Sequence, residues 1–314
     1  MYWVGCPTIG QPAFRYVGVL IYSLGSMDYA GVVFLEIIYM IAFLALTSAG
    51  LAIVFGMMRV INLAHGEFVM LGGYTTLACY KAGINIYFAM LVVAPIVVGL
   101  IGLVVERLII RFLYGRMIDT MLATWGLSLF LIGAVTMIFG SSAVNVPTPI
   151  SGYQLGSYQM GGYNLFIICV AALLMIGLWC VLRFTRVGLV ARGAMQNPEV
   201  AASLGYNPRT VYMITFTAGA AISGMAGGVL APLTGLLPTS GGAYIAKAFI
   251  TIITGGAAVI SGTLSSAMIF GTVNQIVSFA SNPVVGEIAM LALAIVLLRL
   301  MPQGITGRFF RNST

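Results

Sequence analysis

Charge is what this sequence has least of. Only 7% of its 314 residues are Asp, Glu, Lys or Arg, against 61% hydrophobic. A water-soluble domain carries about 25% charged residues, so lipid must solvate most of this surface. Histidine is nearly absent, and the single His65 excludes the paired-histidine signature of a zinc protease. An intramembrane serine protease of the Gly-x-Ser-Gly type is excluded too: Ser223 and Ser261 precede glycines, but Ala221 and Val259 stand where the first glycine belongs. The only lysines, Lys81 and Lys247, are each followed by alanine. A phosphate-binding loop needs Gly-Lys followed by Ser or Thr, so this chain does not bind ATP in that way. The four cysteines, Cys6, Cys79, Cys169 and Cys180, have no paired spacing, and three lie in apolar runs where a thiol packs as a small hydrophobe. Neither a disulfide framework nor a metal site follows from them.

What the sequence does have is long apolar runs. Residues 164–182 carry no charged side chain, and Arg183 closes the run. About 20 such residues cross a bilayer core as a helix. Further spans are expected near 32–57, 67–82, 86–105, 120–140, 210–230, 244–259, 263–280 and 285–301. The expected fold is an all-α, polytopic transmembrane bundle of eight to ten crossings. Residues 244–259 are short and contain Gly255 and Gly256, the mark of a broken or re-entrant helix.

The net charge of +7 comes mainly from three clusters between spans: Arg107, Arg111 and Arg116; Arg183, Arg186, Arg192 and Arg209; Arg299, Arg308 and Arg311. Basic loops stay cytoplasmic, which puts all three on one side and removes nucleic acid as a partner. The uncharged stretch 141–163 then lies outside. Glu36 and Glu106, near span ends, are expected to reach the membrane interface. Residues 1–26 are neither a cleavable signal nor a full span and are expected to be an N-terminal extension. A single transmembrane domain over 27–308 and a cytoplasmic tail over 309–314 follow. Gly219, Gly224, Gly227 and Gly228 are expected to let helices approach closely.

The basic loop over 188–209 holds a short helix. Asn197 suits an N-cap, Pro198 the first helical position, Glu199 the positive end of the helix, and Gly205 the stop. Ala201 and Ala202 make the helix narrow enough to enter a groove on another protein, with Arg192 and Arg209 flanking it to meet acidic groups. A helix lying on the membrane would need a large apolar face, which this stretch does not show. A water channel built on two Asn-Pro-Ala half-helices is excluded, because Asn197-Pro198 and Asn207-Pro208 lie in the same loop. Asn62, His65, Gly66 and Glu67 fall at a junction between spans. Asn62 is a candidate cap, Gly66 loosens the helix, and Glu67 favours the next helix start. Thr124, Trp125 and Ser128 are candidate pathway residues, with Thr124 and Ser128 on one helix face; Asn274 and Gln275 are weaker candidates.

The segment Glu199-Val-Ala201-Ala202-Ser-Leu-Gly205 resembles the coupling loop of ATP-driven importer permeases, with Val200 as an insertion in their Glu-Ala-Ala…Gly pattern. Asn62-Leu-Ala-His65-Gly66-Glu67, Lys247-Ala-Phe with Gly255, Gly256 and Gly262, and Met301-Pro-Gln-Gly304 are similar to further segments of one branch. That branch is the hydrophobic and branched-chain amino acid permease family, which includes urea and short-chain amide permeases. The resemblance covers about residues 32–308. Leu113-Tyr-Gly-Arg116 and Leu122-Ala-Thr-Trp-Gly126 look more like the urea type.

The resemblance implies a non-catalytic permease of a bacterial-type inner membrane. It moves urea, a short-chain amide or a branched-chain amino acid by alternating access. The implied partners are a second, homologous permease, two ATPase subunits that hold the ATP and Mg, and an external solute-binding protein; no cofactor belongs to this chain. A self-sufficient carrier or channel for a small polar solute is the alternative.

Overall fold

Three helices begin at an Asn-Pro pair, for a local reason. The Asn197 side chain accepts the N–H groups of Glu199 and Val200, Asn207 that of Arg209, and Asn282 that of Val285, at 3.0–3.1 Å. The proline that follows occupies a first-turn position where an N–H has no partner to lose, and its fixed φ already suits the helix. The pairs that fail as water-channel motifs are thus helix starts.

The computed structural model describes residues 27–58, 60–155, 158–256 and 258–306. The expected extension over 1–26, the tail over 309–314, and Arg308 and Arg311 lie outside the described residues. The described helices are α1 (Met27–Met58), α2 (His65–Lys81), α3 (Ile86–Phe112), α4 (Met117–Phe139), α5 (Gly162–Phe184), α6 (Arg186–Gln196), α7 (Pro198–Ser203), α8 (Pro208–Thr234), α9 (Gly241–Gly255), α10 (Val259–Ala280) and α11 (Pro283–Leu300). A small antiparallel hairpin, β1 (Tyr153–Leu155) with β2 (Tyr158–Met160), sits in the uncharged stretch before α5.

Every apolar segment marked in the sequence falls on one of these helices, except 244–259, which runs over the break between α9 and α10. Six of them are long and apolar enough to cross a membrane, or seven if α9 and α10 count as one bent span. Eight to ten crossings were expected, and the difference lies in short helices. At 1.5 Å per residue, α2 with 17 residues and α9 with 15 fall short of a core about 30 Å thick. The chain bends by 113° between α9 and α10, at the break expected from Gly255 and Gly256.

The Arg-bearing ends gather on one side. A cavity of about 480 Å3 is lined by Phe55 and Gly56 of α1, Met117 of α4, Met195 and Gln196 of α6, Gly256 at the α9–α10 break, and Pro302 and Gln303 after α11. At the opposite end Val144 and Leu236 exchange backbone hydrogen bonds of 3.0 and 2.8 Å, tying the uncharged stretch to the loop after α8. Glu106 departs from expectation. It does not reach the interface but is buried, with the Tyr114 hydroxyl donating to it, while Tyr114 also packs edge-on against Tyr212 of α8. Glu36 accepts a 3.0 Å hydrogen bond from Asn164 at the start of α5.

Helix α8 is central and packs on α1, α2 and α3. Its glycines set the spacing, as expected from the sequence. A Cβ on Gly227 would lie 1.6 Å from the Val69 carbonyl oxygen, and one on Gly72 of α2 would lie 2.0 Å from that of Gly224. With no hydrophobic drive between helices in lipid, such close backbone contact is what holds them. Gly227→Ala should therefore force α2 from α8 and lower stability by at least about 1–3 kcal/mol. Gly126→Ala, with nothing within 4 Å, should leave the melting temperature of detergent-solubilised protein unchanged; equal melting of the two variants would contradict the account.

Candidate functional site

Between α1 and α2 the chain leaves helical conformation and turns back alongside α1. A hydrogen bond of 2.8 Å joins His65 Nε2 to the carbonyl oxygen of Thr47. A carbonyl only accepts, so Nε2 carries a proton, and in the neutral ring Nδ1 is the acceptor. The Ser223 hydroxyl lies 3.2 Å from that Nδ1 and 2.8 Å from the Gly219 carbonyl oxygen, and its one proton serves either acceptor. Thr47 precedes the end of α1 at Met58 by 58 − 47 = 11 residues, roughly 16 Å of helix. Helix α2 thus starts about halfway across a 30 Å core.

The start of α9 meets it there. A Cβ on Gly66 would lie 1.9 Å from the Gly241 carbonyl oxygen, and one on Gly241 would lie 2.7 Å from Glu67 Oε1. Gly66 therefore permits a backbone-on-backbone contact between two helix starts; loosening the helix is not what it is needed for. From this meeting point α9 descends beside α1, with Ala248 and Ile252 packed on Leu51 and Ala52.

Candidates far apart in the sequence converge here. Leu63 N–H donates to Thr124 Oγ1 at 3.0 Å, and Thr124 donates in turn to the Thr120 carbonyl at 2.8 Å. Thr124 thus pins the non-helical 60–64 segment to α4. Asn62 does not cap α2: its side chain accepts the Ala64 N–H at 3.0 Å and shapes the turn before the helix, whose N-cap is Ala64. Glu67 sits in the first turn of α2 as expected. Its carboxylate lies against Gly241 at the start of α9, and Oε2, fully buried, has no partner among the described residues. Trp125 is 56% exposed and points away from the cluster. Asn274 is buried against the α11 start, where a Cβ on Gly286 would lie 2.6 Å from its carbonyl oxygen, and Gln275 is half-buried beside it; neither joins the His65 cluster. Sequence reasoning missed Thr47 and Ser223. Ser223 carried a signal in its glycine-rich neighbourhood, which marks close helix contact.

Two more segments singled out in the sequence also meet. Gly256 and Gly304 adopt φ of +86° and +75°, a region open to glycine and costly for other residues. The Thr306 hydroxyl donates to the Gly255 carbonyl at 2.6 Å and accepts the Ala258 N–H at 3.4 Å. The segment after α11 thus clasps the α9–α10 break.

On the Arg-bearing side, Asn197 caps α7, Gly205 follows it with φ +88°, and the Tyr206 N–H bonds the Ala201 carbonyl at 3.1 Å. Ala201 is buried and Ala202 exposed. The helix displays more apolar surface than expected: Leu204 is 71% exposed, and Val200 and Tyr206 are each about half exposed. Arg192 turns back to the Gly188 carbonyl of its own helix at 3.3 Å. Arg209 is exposed in the first turn of α8, next to the positive end of the helix.

The pin makes a test. Thr124→Val removes the acceptor of the Leu63 N–H and should cost about 1–3 kcal/mol of stability. Thr124→Ser, which keeps the hydroxyl, and Trp125→Leu, on the outward face, should both melt near the unsubstituted protein.

Residues 33–301 match the family described as branched-chain amino acid transport system / permease component. The high-affinity branched-chain amino acid transport system permease protein LivH of Salmonella typhimurium is 29% identical over 280 residues, covering 84% of this chain and 91% of that protein. The corresponding protein BraD of Pseudomonas aeruginosa is 29% identical over 281 residues, with the same coverage. A probable LivH of Methanocaldococcus jannaschii is 28% identical over 282 residues, covering 84% and 88%. No solved structure matches the chain. None of these relatives carries urea or an amide in its name, so the urea-like features around 113–126 find no support among them. With a match over most of its length and a bundle of apolar helices, the chain belongs to the branched-chain amino acid transport system permease family: it is a multi-pass membrane protein and a non-catalytic permease component of an ABC transporter.

Proposed function

We propose that this chain is one of two homologous permeases in an ATP-driven importer of a branched-chain amino acid, seated in a bacterial-type inner membrane. Two ATPase subunits dock on its Arg-bearing side, and an external binding protein delivers the solute. The relatives' names supply the solute class. The observation that carries the docking is α7: a rigidly capped two-turn helix, exposed from Asn197 to Val200 and again from Ala202 to Asn207. In it Val200 and Leu204, four residues apart, form apolar knobs on one helix face. Such knobs in water are costly unless a groove takes them. Glu199 and Arg209 frame them with charges of both signs, which fixes a partner's register.

The coupling route is short. Helix α6 leads into α7 through Asn197, and Ala191 of α6 packs with Ile53 and Met57 of α1. A push on α7 therefore reaches the lower half of α1, whose upper neighbours are His65 and the meeting point of α2 and α9. Closure of the ATPases moves this lower layer, and access to the solute alternates from outside to inside. Half-helices that start at mid-membrane suit such motion, because each has a free end that shifts without breaking a full span.

The test is ATP-dependent uptake of labelled leucine, with labelled urea beside it, by the co-expressed assembly in sealed vesicles. Leu204→Asp and Glu199→Arg should each cut leucine uptake at least about tenfold by weakening docking, with the chain still present in the membrane. Urea should not accumulate. Uptake that persists without any ATPase subunit would replace the importer by a self-sufficient carrier.

A further inference from the structure

Lys247 and Glu287 form an ion pair at 2.6 Å, joining α9 to the first turns of α11. Its setting is unusual for a membrane protein. Glu287 lies 287 − 283 = 4 residues inside a span that begins at Pro283, roughly 6 Å below its end. Its side chain is 53% exposed, on a helix whose Val284, Ile288 and Leu291 are exposed too. Lys247 is the deeper partner: its ammonium lies 5.7 Å from the centre of the Phe43 ring, 12 residues inside a span that begins at Gly31. An open carboxylate cannot face hydrocarbon at low cost, and charges inside spans line water-filled routes or meet protein.

Behind the pair lie buried aromatic rings. Phe43 contacts Tyr244, one turn from Lys247 on α9, with ring centres 6.3 Å apart, and Tyr39 stands 6.4 Å from Phe43. Phe43 and Tyr244 are both buried, with the Lys247 ammonium over the Phe43 ring, so separating the pair uncovers them. Opposite charges over aromatic rings match one class of small molecule: a zwitterionic α-amino acid with an apolar side chain. Its carboxylate takes Lys247, its ammonium takes Glu287, and its side chain lies along Phe43 and Tyr244. Urea, neutral and without an apolar part, gains nothing from separating the pair.

We propose that Lys247 and Glu287 are a solute site on the outer half of the translocation route, opened when an amino-acid zwitterion replaces each partner of the ion pair. The site rests on the importer reading above and narrows it, since it selects amino acids over amides. Glu287, the more exposed of the two, is the partner a solute meets first.

The test uses the full assembly, with its binding protein, in sealed vesicles of native orientation. Cys6, Cys79, Cys169 and Cys180 are first replaced. A Val284→Cys variant, whose cysteine stands one turn from Glu287 on the exposed part of α11 and leaves both charges in place, should react with a membrane-impermeant methanethiosulfonate added outside, and saturating leucine should slow the reaction several-fold while urea does not. Separately, Lys247→Met should cut leucine uptake roughly thirtyfold or more, as expected for loss of the one cation that takes the solute carboxylate. The exchange Lys247→Glu with Glu287→Lys should recover a substantial part, which a variant that merely failed to fold would not. A cysteine that stays unmodified, modification indifferent to leucine, or unchanged leucine uptake in Lys247→Met overturns the site. If the unsubstituted assembly shows no ATP-dependent uptake, the importer reading falls, and labelling alone decides: protection by leucine keeps the site, and its absence ends it.

Discussion

Two helix starts brought face to face inside a membrane govern the rest of this structure. The first N–H groups of a helix have no partners within it, and hydrocarbon offers none. Starting α2 and α9 at mid-depth therefore obliges the surroundings to be polar, crowded and fixed. That obligation accounts for His65 on Thr47, for Ser223 on His65, for Glu67 in the first turn of α2, and for Thr124 holding the chain that leads in. It accounts also for Gly66 and Gly241, since any side chain at either would part the two starts. Around this centre α8 supplies a glycine-lined wall, and the full-length spans close the bundle.

Much of this was legible in the sequence, for reasons that differ by feature. Spans are visible because lipid demands unbroken apolar runs, and the Arg clusters give the side. The α7 cap was legible because Asn, Pro and Gly each act on their own backbone, within two or three residues. The break after Gly255 was legible from paired glycines. Depth was not. That α2 begins halfway across the membrane depends on a contact between His65 and Thr47, 18 residues apart, and on Thr124 reaching Leu63 across 61. Nothing in the local pattern of either segment encodes such pairings. For the same reason the hydrogen bond by which Thr124, a pathway candidate in the sequence, holds the junction was not visible there. The apolar knobs of α7 were underrated because Val200 and Leu204 are unremarkable letters until their exposure is seen.

The two ends of the bundle differ in kind. At the end away from the arginines a backbone pair, Val144 with Leu236, joins the loops. Toward the Arg-bearing side, small residues and the hydroxyls of Tyr114 and Thr306 do the joining, and α6 and α7 extend beyond that layer. Helices that are short, capped and separately anchored move as rigid pieces. The 60–64 segment and the α9–α10 break are where such pieces meet.

The clasp on the second junction has a bearing on how the chain is made. Gly256 and Thr306 are separated by 306 − 256 = 50 residues, which include all of α10 and α11. At a synthesis rate of about 5–20 residues per second, the Gly255 carbonyl and Ala258 N–H wait roughly 3–10 s for the hydroxyl that finally pairs them. During that interval α9 is inserted yet unlatched, its lower end packed on α1 and then on the first turn of α10 but without the hydroxyl. The last hydrogen bonds to form are thus those that fix the bend. A chain interrupted inside α11 would leave behind a bundle with nearly all its helices and no settled floor, a ready target for membrane quality control.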